Sequence, residues 1–221
     1  MRVLMCRHSE GFEHTFLPHA EVAVKRMAER VAPMEVTTTA RSRLIDADTL
    51  AGTDVLVMAT TGELPWSDEQ KQALLDFVRG GGGFVGIHNA TDTFYEWPEY
   101  GEMLGGYFNG HPWTQDVVVN VEDTEHPATC MLGESFGVYD EIYTFKNWDR
   151  ESTHVLMSLD NDSVDVGKGN REDDDYALGW CHTYGEGRVI YSGLGHPPEL
   201  WDKPWFLDHV LACIQWAGGM A

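Results

Sequence analysis

Residues 80–90, GGGGFVGIHNA, constrain the chain more than any other stretch. Four glycines close a helix, residues 84–87 form a short apolar strand, and His88 stands where that strand stops. In an open α/β sheet, side chains at the carboxyl ends of the strands line the ligand crevice. A strand-to-turn position of this kind carries the nucleophile in several α/β hydrolytic folds. Here it carries an imidazole, with neither Ser nor Cys beside it. The glycines themselves do not form a phosphate cradle. Such a loop follows a strand and opens a helix, and this run does the reverse.

The flanking sequence supplies the rest of the architecture. Residues 3–6, 35–39, 55–58 and 84–87 read as buried or β-branched strands. Pro18 opens a helix running to about Val31, and Ser67 with Gln70 makes a capping box for a helix through Arg79. Gly80 serves as the C-cap of that second helix. Strand alternating with helix predicts a doubly wound, mainly parallel sheet with helices on both faces, built as one domain over residues 1–221. In the second half, strands are predicted at 117–121, 143–145, 155–159, 177–182 and 189–192, with a closing helix at 204–216. Residues 160–175, DNDSVDVGKGNREDDD, read as a solvated polar loop without EF-hand spacing.

Charge excludes some partners. The net charge is −21, and only 5 of the 15 basic residues are lysine. Such a surface repels phosphate backbones and anionic headgroups, which argues against nucleic acid and membranes. Cys6, Cys130, Cys181 and Cys213 show no CxxC spacing and read as reduced, mostly buried thiols. The first apolar run is only a strand's length, and none approaches the ~20 residues of a membrane span. A cytoplasmic location is the expectation.

Histidines and carboxylates recur just after predicted strands: His8 and His14, His88 and Asp92, His111, Asp140 and Glu141, and His196. The topology would converge them on one cleft. Imidazole with carboxylate can perform acid–base chemistry near neutral pH or hold a divalent metal such as zinc. Tyr95, Trp97, Trp113 and Trp201 stand among polar residues, as a sugar site requires: apolar faces for stacking beside groups that bond hydroxyls.

These segments together resemble the ThuA-like (trehalose-utilisation) family. The resemblance runs through GFEHTF, GGGFVGIHNATDTFYEWPEY, LGGYFNGHPWTQ, EHPAT, DEIYTF, VLMSLD, GRVIYSGLGH and IQWAGG. It implies a flavodoxin-like, class I glutamine amidotransferase-like fold. It also implies a role in sugar metabolism, with disaccharides oxidised to 3-keto forms by a partner dehydrogenase. His14, His88, Asp92, His111, Gln115, Asp140, Glu141, Tyr143 and His196 fall on the family's polar motifs. Where many relatives carry a His-Pro pair before the late tryptophan, this chain has Tyr176-Ala177 before Trp180. Amidotransferases of this fold use a cysteine at the elbow, so His88 there excludes glutamine hydrolysis through a thioester.

The expected function is an enzyme acting on a keto-sugar or 3-keto-disaccharide, as a hydrolase, lyase or isomerase. His88 or His196 is the expected base, with Asp140 or Glu141 orienting imidazole. A zinc-like ion would be held by some of His14, His111, Glu141 and His196. Substrate contacts are expected from Asp92, Trp97, His111, Trp113, Gln115 and Tyr143. The rival expectation is a non-catalytic sugar-binding or accessory subunit of a sugar dehydrogenase system. A homo-oligomer is compatible with either.

Overall fold

The computed structural model describes residues 1–220. Its first half follows the alternation in the sequence: β1 (Arg2–Cys6), α1 (Leu17–Arg30), β2 (Glu35–Thr39), α2 (Ala47–Ala51), β3 (Val55–Met58), α3 (Asp68–Arg79) and β4 (Gly83–Ile87). The α3 capping box is present, with the Ser67 hydroxyl accepting from the Gln70 N–H and the Gln70 side chain accepting from the Ser67 N–H. The second half comprises α4 (Pro98–Leu104), β5 (Tyr107–Phe108), β6 (Trp113–Val121), β7 (Ser135–Ile142), β8 (Phe145–Lys146), β9 (His154–Leu159), β10 (Ala177–Tyr184), β11 (Gly187–Ser192) and α5 (Pro204–Ala217).

Nine strands form one sheet in the order β2-β1-β3-β4-β11-β10-β9-β6-β7, and β5 pairs with β8 alongside it. The pairings from β2 to β11 are parallel, and those from β11 to β7 are antiparallel. Successive side chains on a strand point to opposite faces, and this splits the core in two. Val3, Met5, Val55, Val57, Val85 and Ile87 pack with α1 and α5 on one face. Leu4, Cys6, Leu56, Met58 and Phe84 pack with α2, α3 and α4 on the other. Helices therefore cover both faces of a mixed sheet, a class I glutamine amidotransferase-like arrangement.

Two local expectations are corrected, and that of mostly buried, free thiols holds. The strand expected at 143–145 lies earlier: β7 ends at Ile142, Tyr143 and Thr144 stand outside any strand, and β8 begins only at Phe145. Ser135, Gly137 and Tyr139 of β7 are exposed, so the hydrophobic pattern there is too weak to mark a strand. Residues 160–175 are not wholly solvated, because Val164 and Val166 pack against the core and the Asp165 carbonyl accepts from Trp113 Nε1 at 3.0 Å. Among the cysteines, Cys130 is exposed, whereas Cys6, Cys181 and Cys213 are buried.

Burial pushes the Cys6 and Cys181 thiols up to about 12 and raises Cys213 as well. A thiol reagent attacks the thiolate, so native protein should titrate one fast-reacting cysteine, with the other three released only on unfolding. A Cys130→Ser variant should lose the fast phase. Three or four fast thiols in the native protein would contradict this packing.

Candidate functional site

His88 is the first residue after β4 and opens a short 3-10 turn at His88–Asp92. Its backbone has φ of +38°, which is uncommon for a residue with a side chain. Such strain, about 1–3 kcal/mol, persists only where the surroundings enforce it. Here Tyr191 of the neighbouring β11 donates its hydroxyl to the His88 carbonyl at 2.6 Å. The ring is held separately. Its Nδ1 lies 2.7 Å from the Gly193 carbonyl, which can only accept, so Nδ1 carries the proton and Nε2 presents its lone pair inward.

Three further groups meet that lone pair. His196 Nδ1 is 3.2 Å from His88 Nε2, and Glu141 Oε2 lies 3.6 Å from His88 Nε2 and 3.0 Å from His196 Nδ1. His14 completes the cluster, with its ring centroid 5.3 Å from those of both His88 and His196. One ligand atom from each of His14, His88, Glu141 and His196 falls within 4.8 Å of the others. Each comes from a different segment: the loop after β1, the end of β4, β7, and the loop after β11.

Asp140 gathers these segments. It is fully buried and accepts from the backbone N–H groups of Gly195, His196 and Glu141 at 2.8, 3.1 and 2.8 Å. Gly195 adopts φ of +122°, a left-handed conformation natural to glycine that lets consecutive N–H groups point at one carboxylate. Trp201 Nε1 donates to the Gly195 carbonyl while its ring stacks on Phe16. Asp140 thus orients a loop rather than an imidazole. The imidazoles meet Glu141 instead.

The other expected residues divide clearly. His111 is half exposed at the rim, 3.4 Å from Glu141 Oε1, and does not join the four-residue cluster, so His88 takes the place expected for it among the metal-ligating groups. Tyr143 packs against His88 with ring centroids 4.1 Å apart and planes tilted by 36°, and places its hydroxyl 3.2 Å from His14 Nε2. Asp92 accepts from Tyr95 Oη at 2.6 Å. Trp97 and Trp113 are core residues, 7% and 1% exposed, and present no free face for a ligand. The aromatic clusters around Phe94 and Tyr176 absorb them. Gln115 lies along β6, with its amide 3.5 Å from the Ser163 carbonyl, away from the imidazoles.

Two contributors escape a reading by residue type. Asn89 is buried, its side-chain amide lies 3.3 Å from His14 Nδ1, and its Oδ1 has no partner. With the amide in its alternative orientation, Oδ1 gains a donor in His14 Nδ1–H. His14 Nε2 is then left as an acceptor. Phe12 is 66% exposed and meets the His14 ring edge-on at 4.9 Å. Its position two residues before His14 in GFEHTF was the available signal.

Burial, reinforced by the neighbouring His88 and His196, pushes His14 down to about 3, so it stays neutral and keeps a lone pair. Burial would raise Glu141, but hydrogen bonds and charge from His196 and His88 outweigh it and hold the carboxyl well below its usual range. The hydrogen bond to Glu141 raises His196. Burial raises Asp140 and Asp92.

The signs follow by linkage. The His196–Glu141 pair stabilises the fold fully below the ordinary histidine value, and that contribution fades as pH climbs through the raised value of His196. The contribution of Glu141 fades only on acidification through its lowered value. The contribution of His14 is lost as pH falls from about 6.5 towards about 3. In Glu141→Gln, His196 should titrate at lower pH than in the parent chain when followed by NMR. An unchanged His196 midpoint would show that the carboxylate does not act on it.

The family model described as ThuA, trehalose utilisation, matches residues 2–217. A ThuA-like protein from Bacteroides uniformis superposes with a TM-score of 0.81 at 24% identity, covering 98% of this chain and 90% of the other. One from Parabacteroides merdae gives 0.75 at 16% identity, covering 98% and 89%. A β-galactosidase from Bacillus circulans gives 0.62 at 10% identity, covering 97% of this chain and 31% of the enzyme. At these identities the likeness concerns the fold. No curated protein matches the sequence. Among the described residues, no helix is long and apolar enough to cross a membrane. With the family model matching nearly end to end, the chain belongs to the ThuA family of trehalose utilisation, a family of carbohydrate metabolism.

Proposed function

We propose that the chain is an enzyme acting on a keto-sugar, with a 3-keto-disaccharide or 3-keto-glycoside as substrate, through the His14–His88–Glu141–His196 centre. The observation that carries this reading is the convergence of three imidazoles and one carboxylate from four segments, with the His88 tautomer fixed by Gly193 so that Nε2 is free. A ketone acidifies the proton on the adjacent carbon. His88 Nε2 can take that proton, and the electron pair moves onto the carbonyl oxygen as an enolate. The enolate can expel a glycosidic oxygen from the next carbon, with His196 returning a proton to the departing oxygen. Glu141 holds His196 in the protonated form that this step needs.

The same four groups suit a divalent ion of the zinc type, which takes histidine nitrogen and carboxylate oxygen in four-fold coordination. The carbonyl of Gly193 on His88 Nδ1–H is the partner that a ligating histidine usually has on its other nitrogen. An ion held there would occupy the lone pairs of His88 and His196, so it would replace their proton transfers and act instead by polarising the ketone oxygen. The ketone itself implies an oxidation beforehand, so a sugar dehydrogenase is the class of enzyme that would work with this one.

Purified protein should consume a 3-keto-disaccharide, followed by NMR of the sugar, and His88→Asn should lower the rate by roughly a hundredfold or more. Asparagine is chosen because His88 is fully buried, and an amide can still donate to Gly193 where alanine would leave a cavity. Wild-type protein inert towards keto-sugars, or His88→Asn as active as the parent, would overturn the proposal.

A further inference from the structure

A cavity of about 430 Å³ lies between β7 and the segment that follows His196. Tyr139, Pro197, Leu200 and Trp205 line it, together with Glu199 and Lys203. Its size falls within the range of small-molecule sites, about 300–1,000 Å³. Tyr139 stands two residues before Glu141 on β7, so both side chains point to the same face about 6.6 Å apart. Pro197 is bonded directly to His196. The cavity is thus lined by near chain neighbours of Glu141 and His196, two of the reacting groups.

The exposed aromatics point the same way. Among the described residues, Phe12, Tyr95 and Tyr139 are the aromatic side chains most open to solvent, at 66%, 36% and 52%. Phe12 touches His14, Tyr95 bonds Asp92, and Tyr139 shares the face of Glu141. Each of these rings is thus next to a polar residue of the centre or its surroundings, where its open face can stack on a ligand. The Trp205 ring is steadied by Phe136 at 5.0 Å, which leaves it a fixed wall rather than a swinging one. An aromatic wall with a carboxylate and an ammonium beside it suits a pyranose, whose C–H face stacks while its hydroxyls bond charged groups.

Resting on the function proposed above, we infer that the Tyr139–Trp205 cavity is a subsite for the second ring of a disaccharide, the ring remote from the reacting carbon. Tyr139 supplies the stacking face, and Glu199 and Lys203 bond hydroxyls. The subsite makes the protein select two-ring over one-ring sugars.

Trehalose and glucose, which lack the ketone and cannot turn over, serve as probes in an NMR titration of the full chain. Wild type should bind trehalose more tightly than glucose, and Tyr139→Ala should weaken trehalose by roughly two- to tenfold while leaving glucose unchanged. Tyr139 is exposed, so the variant should fold normally, which its circular dichroism and unfolding midpoint check. Lys203→Ala, also at the surface, should weaken trehalose selectively. Equal loss for both sugars, no loss for either, or a wild type that binds no trehalose overturns the subsite. So does a Tyr139-dependent dimer insensitive to sugar. Keto-sugar turnover that depends on His88 would survive any of these results, so the two proposals can fail separately.

Discussion

One buried carboxylate organises this protein's candidate site. Asp140 accepts three backbone N–H bonds, two of them from Gly195 and His196 in the loop after β11. The sheet alone would leave β7 and β11 well apart, since β10, β9 and β6 lie between them. The carboxylate closes that gap by drawing the loop after β11 across to the end of β7. Only with the loop so placed can His196 reach Glu141, and only then does the pair face His88. A buried acidic group without such partners would be costly, and here its hydrogen bonds and its function as a tether coincide.

The turn after β4 presents a side chain under positive φ at the carboxyl edge of the sheet. That side chain is an imidazole whose tautomer is set by a backbone carbonyl and whose ring packs against the tilted ring of Tyr143. Burial pushes His14 down, whereas the hydrogen bond to Glu141 raises His196, so neighbouring histidines are shifted in opposite directions.

The sequence made some of this legible and hid the rest for identifiable reasons. The four parallel strands of the first half announced themselves through apolar or β-branched runs, and α1 and α3 through Pro18 and the Ser67–Gln70 box, whereas the single-turn α2 carried no such signal. Strand β7 did not, because an edge strand with exposed Tyr139 and a buried aspartate breaks the expected pattern. His14, His88, Glu141 and His196 could be picked out because each falls at or near the end of a strand. The exclusion of His111 could not be foreseen, since it turns on one loop placing that ring at the rim. Trp97 and Trp113 misled because their polar sequence neighbours face solvent while the rings turn inward. Tyr139 and Phe12, the aromatics that do stay open, sit in segments whose exposure only three-dimensional packing decides.

The central claim is that His14, His88, Glu141 and His196 form one centre and that His111 stands outside it. Calorimetric titration of the metal-stripped chain with Zn²⁺ tests this most directly. One ion per chain is expected, bound with an affinity that falls at least roughly tenfold in His88→Asn and in His196→Ala and stays within about threefold in His111→Ala. Binding that depends on His111 and ignores His88, or no stoichiometric binding at all, would contradict it.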